Sequence, residues 1–262
     1  MNLDQELSKI GVKPKKGQNF LTHKPTIKAL VESGELDDHK TLEIGGGLGA
    51  ITEQLTKKTK DLSVVEMDDT LARHLEEKFP DINVLNEDFL EMELGKFERC
   101  VSNIPFEISS DIIKKLGEAQ IQSSLIVQDD LADKIVLDPG EPDYGYFTAL
   151  VNYYFVPVKL RSINSSAFYP KPDVDAAMIK LYPGKHRYKV DNEEILLSTI
   201  KALFTHKRKK LRNALVDSRN ILGVKKNEIK PLRDEVPYSE DRVINLDIRK
   251  LAEVSEWIES EF

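Results

Sequence analysis

Four glycines in five residues, Gly45-Gly46-Gly47-Leu48-Gly49, follow the apolar run Thr41–Ile44 and precede a stretch with helical spacing. Glycine lets a backbone turn tightly and lets a ligand approach it closely. Read as Gly45, Gly47 and Ala50, the loop also meets the G-x-G-x-x-G/A fingerprint of nucleotide-binding folds. Glu66 stands 21 residues after Gly45, at the end of the next apolar run. A carboxylate there can accept hydrogen bonds from both ribose hydroxyls of a nucleoside. NAD and S-adenosylmethionine both carry such a ribose, so the pair does not choose between them. A plain tight turn with a solvated glutamate gives the same pattern. Asp88, after a third apolar run, can accept from an adenine amino group or can simply cap a loop. The most informative segment is Asn103-Ile104-Pro105-Phe106. Pro105 fixes φ and lacks an N–H, and it pushes Ile104 toward an extended conformation. Such a stiff turn holds an amide oxygen, a backbone carbonyl and an aromatic ring together. Those groups suit a planar base with an exocyclic amino group, because the oxygens accept from NH₂ and the ring stacks. The same residues also fit an ordinary helix start with Pro near its first turn.

These groups need elements to position them. Short apolar, β-rich runs at 41–44, 62–66, 82–85, 99–103 and 124–128 predict strands. Helical patterns at 50–59, 70–79 and 108–116 lie between them. Alternation of this kind predicts a parallel sheet covered on both faces. The carboxyl ends of its first strands then lie side by side, where ligands bind. The runs 153–163 and 175–182 have no long helix between them and predict an antiparallel pair at the sheet edge. Beyond Pro183-Gly184 the pattern is helical, at 193–204, at 209–222 and near 248–258. The expected division is therefore 1–184, with a basic N-terminal extension, and a small all-helical domain at 185–262.

Composition sets bounds. The chain has 262 residues, 40% of them hydrophobic and 32% charged, enough apolar material for a core. Its 38 basic and 45 acidic residues leave a net charge of −7, so nucleic-acid binding would have to rest on local charge. A single cysteine, Cys100, excludes an intrachain disulfide and any cysteine-cluster metal site, and no metal is expected. No apolar run reaches the roughly 18 residues of a membrane span. A cytoplasmic, non-membrane protein is expected. One window is strongly basic: Lys201–Asn213 holds six basic residues and no acidic one. Lysines 9, 13, 15 and 16 add a second basic stretch.

The motifs GQNFL (17–21), LEIGGGLG (42–49), VVEMD (64–68), NEDF (86–89), SNIPFEISS (102–110) and FYPKPDVDAAMIKL (168–181) occur in order. Together they resemble the ribosomal RNA adenine dimethyltransferases, and the form SNIPFEISS is more similar to the archaeal branch. The resemblance implies a Rossmann-like methyltransferase fold: a doubly wound, mostly parallel α/β sheet with an antiparallel edge strand, followed by a small helical domain. It implies S-adenosyl-L-methionine as cofactor, lying over Gly45 and Gly47. Asn19 and Leu21 would close its methionine end, where Gln18 also belongs. Glu66 would hold the ribose and Met67 would lie against the adenine. Asp88 would accept from the adenine amino group, with Phe89 alongside. Asn103 and the Pro105 carbonyl would bind the target amino group, with Phe106 and Phe168 flanking the target base. Phe106 stands where the family usually has Tyr, Ile104 where it has Leu, and Ala176 where it has Ser. Gln128-Asp129-Asp130-Leu131 replaces a more basic segment. Stacking survives the change at Phe106, but a hydroxyl hydrogen bond does not.

The implied reaction is dimethylation of two adjacent adenosines near the 3′ end of small-subunit ribosomal RNA, within an assembling 30S particle. A monomer is expected. Lys207, Arg208, Lys209, Lys210 and Arg212 would bind phosphates, joined by Lys13, Lys15 and Lys16. A large-subunit ribosomal RNA methyltransferase and an assembly factor without turnover are the alternatives. An NAD-linked oxidoreductase accounts for the glycine loop and Glu66, but not for Asp88 or the Asn-Ile-Pro-Phe turn.

Overall fold

The computed structural model of the protein describes residues 3–14 and 17–262. Among the described residues, nine strands form two sheets. They are β1 (Phe20–Leu21), β2 (Thr41–Ile44), β3 (Leu62–Val65), β4 (Asn83–Leu85), β5 (Arg99–Asn103), β6 (Gln122–Gln128), β7 (Phe155–Ile163), β8 (Phe168–Tyr169) and β9 (Ala176–Pro183). Seven strands lie in the order β4-β3-β2-β5-β6-β9-β7, and β1 pairs with β8 in a separate ribbon. Neighbours from β4 to β6 are parallel, while β9 runs antiparallel to β6. The chain order reverses direction between β2 and β5. In an open α/β sheet that switch point leaves a crevice at the carboxyl ends of the two strands. The glycine loop leaves β2 there and the Asn-Ile-Pro-Phe turn leaves β5.

The helices are α1 (Leu3–Lys9), α2 (Lys24–Ser33), α3 (Thr52–Leu55), α4 (Asp69–Lys78), α5 (Ser109–Glu118), α6 (Asp129–Ile135), α7 (Tyr146–Tyr154), α8 (Glu193–Phe204), α9 (Leu211–Asp217), α10 (Arg219–Leu222), α11 (Lys226–Leu232) and α12 (Ile248–Glu261). None is long and apolar enough to cross a membrane among the described residues. The Asp68 carboxylate caps α4 by accepting from the N–H groups of Thr70 and Leu71. Helix α2 packs on β5 and β6, and α4 packs on β4. The central strands are dry: every residue of β2 and β3 is buried. Leu42 is fully buried in β2, so Leu42→Ala should cost about 2–5 kcal/mol of stability. Urea denaturation would measure the loss.

The chain divides into two compact units, Met1–Asp133 with Pro157–Pro183, and Lys134–Val156 with Gly184–Phe262. Residues 134–156, which the division at 184 had placed in the first domain, therefore group with the C-terminal helices. The cause is α7, whose Thr148, Ala149, Leu150, Val151, Tyr153 and Tyr154 are buried and which packs on α8 and α12. Tyr153 and Tyr154, read as the start of a strand, end this helix. The helical pattern 209–222 is broken into α9 and α10 at Ser218, whose ψ of 6° departs from the helix. Helix α3 is shorter than the pattern 50–59, because residues 56–58 continue only as turns.

Candidate active site

The crevice at the switch point holds a cavity of about 280 Å³, entirely within the first unit. The glycine loop forms one wall. Gly45 (φ 73°) and Gly47 (φ 56°) adopt left-handed backbone conformations that disfavour a side chain. A Cβ at Gly45 would meet no atom within 4 Å, so the loop is an open cradle there. A Cβ at Gly47 would lie 3.1 Å from the Phe20 ring. The Lys78 ammonium donates to the Leu48 carbonyl at 2.8 Å and pins the loop from behind.

Glu66 follows β3 and is nearly buried. Its Oε2 accepts from the Gly47 N–H and its Oε1 from the Asp68 N–H, both at 3.0 Å. Met67 beside it is 68% exposed, unusual for a large apolar side chain, and lines the cavity mouth. Asp88 is exposed, and its Oδ1 accepts from the Leu90 N–H at 2.9 Å. Phe89 is buried against the cavity, with the Lys115 ammonium 5.5 Å from its ring centre.

The opposite wall is the turn after β5. The Asn103 Nδ2 donates to the Asn19 carbonyl at 2.9 Å, which fixes the amide plane. Its Oδ1 is buried and has no hydrogen-bond partner. A buried acceptor without a donor is costly, and native proteins seldom retain one without a use. Pro105 is extended (φ −58°, ψ 128°), and its carbonyl accepts from the Ser109 hydroxyl at 2.9 Å. Phe106 lines the cavity. Gln18, Asn19 and Leu21 line it from the N-terminal side, where β1 is held by β8 with Phe20 opposite Tyr169.

The structure thus gathers Gln18, Asn19, Leu21, Gly45, Gly47, Glu66, Met67, Asp88, Phe89, Asn103, Pro105 and Phe106 around one cavity. Phe168 is the exception. It is buried in the core beside Leu21 and does not line the cavity. Its ring meets Phe106 edge-on, with centroids 6.2 Å apart and planes at 73°, so the two rings leave no parallel-walled slot. In this arrangement only Phe106 offers the cavity an aromatic ring from this pair.

Sequence reasoning gave no role to Glu43. It is the sole charged residue of β2, it is buried, and it lines the cavity. Its Oε2 accepts from the Thr52 hydroxyl at 2.6 Å, while Oε1 has no partner. Burial, reinforced by the nearby Glu66 charge, pushes its pKa up to about 8 against the Thr52 hydrogen bond. The available signal was an acid inside an otherwise apolar strand.

The basic window lies in the second unit, just before and at the start of α9. Its backbone is pinned: the Val243 N–H donates to the Lys209 carbonyl and the Ile244 N–H to the Lys207 carbonyl. Lys207 donates to the Pro142 and Tyr144 carbonyls at 3.0 and 3.2 Å. Lys209 pairs with Asp217, Lys210 with Glu240, and Arg212 with Asp234 and Glu240. Arg208 is exposed, with no ion pair or hydrogen bond among the described residues. Lys13 is exposed, while Lys15 and Lys16 lie outside the described residues.

The family model for ribosomal RNA adenine dimethylase matches residues 11–244. A probable ribosomal RNA small subunit methyltransferase A from Thermococcus sibiricus is 33% identical, covering 97% of this chain and 96% of the relative. The protein of the same description from Pyrococcus furiosus is 32% identical over 96% and 94%. Among solved structures, a dimethyladenosine transferase from Plasmodium falciparum superposes with a TM-score of 0.82 at 22% identity, covering 92% of this chain and 98% of that one. The 23S rRNA methyltransferase ErmE gives a TM-score of 0.66 at 24% identity, covering 92% and 99%. At those identities the two likenesses establish a common fold.

Proposed function

The chain belongs to the ribosomal RNA adenine dimethylase family, and from that premise we propose that its cavity joins a methyl donor to an adenine amino group through Asn103. The protein is an S-adenosylmethionine-dependent methyltransferase acting on small-subunit ribosomal RNA. In the proposed reading its targets are two adjacent adenosines near the 3′ end, each receiving two methyl groups within an assembling 30S particle. A monomer working in the cytoplasm completes that reading.

The residues present fit the cofactor. Gly45 and Gly47 open the cradle, and the Glu66 carboxylate on the cavity wall would accept from the ribose hydroxyls. Met67 offers an apolar surface to the cofactor adenine, and Asp88 and Phe89 are placed for its edge and face. Gln18, Asn19 and Leu21 close the amino-acid end. Bound there, the cofactor supplies an electrophilic methyl group on a sulfonium.

The observation that carries the reading is the unpartnered Asn103 Oδ1 in the same cavity as the glycine loop. An adenine amino group is a poor nucleophile because its lone pair is delocalised into the ring. An acceptor on one of its hydrogens favours a pyramidal nitrogen with a directed lone pair. Asn103 Oδ1 is that acceptor, held by the Asn19 carbonyl behind it. The Pro105 carbonyl, with one lone pair on Ser109, is the second. Phe106 stacks on the base, an interaction of about 1–3 kcal/mol. The protein's part is positioning and electrostatics, with no covalent enzyme intermediate. The base must be unstacked to reach the cavity.

Phosphate binding follows the ion pairs of the basic window. Exposed pairs are worth about 0–1 kcal/mol, so Lys209, Lys210 and Arg212 can exchange their carboxylates for phosphates. Lys207 holds backbone carbonyls instead. Arg208→Gln is expected to lower the salt slope of RNA binding by about one phosphate contact. Lys207→Met is expected to lower the melting temperature and leave that slope nearly unchanged. Filter binding across a salt series, with thermal melts in parallel, separates the two.

Mass spectrometry of ribosomal RNA from cells with and without the protein tests the reaction. Loss of dimethyladenosine from small-subunit RNA is the expected result. Loss from large-subunit RNA, or no loss together with a subunit-assembly defect, would overturn it.

A further inference from the structure

We infer that Glu43 senses the charge of the bound cofactor: uncharged in the free protein, it gives up its proton when the sulfonium donor binds and keeps it when the thioether product binds. The inference rests on the cofactor reading above. It starts from an anomaly in the sheet. Glu43 lines the donor cavity, and its carboxyl group is buried, with one oxygen held by Thr52 and the other without a partner.

The groups around it oppose ionisation. Glu66, at the end of β3, is the charged neighbour that acts on it, and it is of the same sign. Cys100 on β5 is buried, and burial with the Glu43 charge raises its thiol far above the ordinary range, so it stays neutral. From α3 the facing group is the neutral Thr52 hydroxyl. No cation among the described residues offsets the carboxylate. With its pKa pushed up to about 8, the group is mostly protonated at neutral pH. A buried carboxylate beside a cavity is stabilised by a cation placed in that cavity, and the effect is larger than in bulk water because the surrounding dielectric is lower.

Donor and product differ there by one unit of charge. When the methyl carbon leaves sulfur for the target nitrogen, sulfur keeps the bonding pair and becomes a neutral thioether, and the nitrogen sheds a proton. The ammonium and carboxylate of the amino-acid end are present in both ligands. The cation that favours ionised Glu43 therefore exists only before transfer. By linkage, donor affinity rises with pH up to about 8 and product affinity does so much less. The site thereby favours fresh donor over spent product as pH rises, and Glu43→Gln removes that dependence.

Isothermal titration calorimetry on the full chain is the test. S-adenosylmethionine and S-adenosylhomocysteine are titrated at pH 7 in two buffers of different ionisation enthalpy. A group titrating near 8 is about nine-tenths protonated at pH 7, so donor binding is expected to release close to that fraction of a proton. Product binding should release far less. The donor-to-product affinity ratio should grow severalfold from pH 6 to 8 in the native protein and stay flat in Glu43→Gln. Infrared difference spectra of the native protein give a second readout that needs no variant: the protonated-carboxyl band should vanish with donor and persist with product. Donor binding without proton release, equal release for both ligands, or a persistent band with donor would overturn the inference while leaving the cofactor reading intact. No donor binding at all would instead overturn the cofactor reading, and the inference with it.

Discussion

Asn103→Ala is expected to lower turnover by about 10²–10³-fold or more, the range seen when a single preorganised polar group is removed from a transition state. Donor binding should change only a few-fold in the same variant. The split follows from where the side chain sits. Its Nδ2 is used by the Asn19 carbonyl, and its buried Oδ1 is unused by the protein. Deleting the amide takes the acceptor from the substrate amine and leaves the glycine loop and Glu66 untouched. Asn103→Asp is the sharper variant. It retains an oxygen for the substrate but loses the donor to Asn19 and sets a carboxylate against that carbonyl. It should therefore also be slow, at a different cost to stability. Single-turnover methylation with donor affinity measured by calorimetry checks both. Native-like turnover in Asn103→Ala would remove the basis of the proposed mechanism.

Glu66→Ala is expected to weaken donor binding by about 10²-fold, since a hydrogen bond to a charged group is worth about 1.5–3 kcal/mol and two hydroxyls are involved. The variant has a second consequence. The Gly47 and Asp68 N–H groups lose their acceptor, so the glycine loop loses a strut on its cavity side. Glu66→Gln separates the two effects, because its amide can serve only one of those donors. The variant should bind between native and Glu66→Ala. Calorimetric affinities of the three proteins test the order, and equal affinities would show that the ribose is held elsewhere.

Much of this architecture was legible from residue order. The strands 41–44 and 99–103 coincide with β2 and β5, because short apolar runs ended by Gly or by a Pro turn have few other solutions. The loop and the tetrapeptide meet in space because chain order reverses between those two strands, which a parallel sheet predicts. Helix α7 was not legible. It is apolar on all sides and runs into β7, so its period is masked and its partners lie far along the chain. The edge-on contact of Phe106 with Phe168 was not legible either, since motif spacing carries no ring orientation. The basic window misled in another way. Sequence shows its charge but not that Asp217, Asp234 and Glu240 come back from 8 to 30 residues away to meet it. Glu43 was visible as a letter, but only burial gives it an unusual proton affinity.

The ribbon joining β1 to β8 sets an order on how this protein becomes competent as it is made. Phe20 pairs with Tyr169, so the backbone that steadies Asn103 is secured only by residues translated much later. Synthesis proceeds at about 5–20 residues per second, so β1 waits several seconds for its anchor. A nascent chain released before β8 would carry the glycine loop and the tetrapeptide without their brace. A strand translated before the glycine loop is thus fastened only after β8 has been made, and the brace on Asn103 arrives after the residues it steadies.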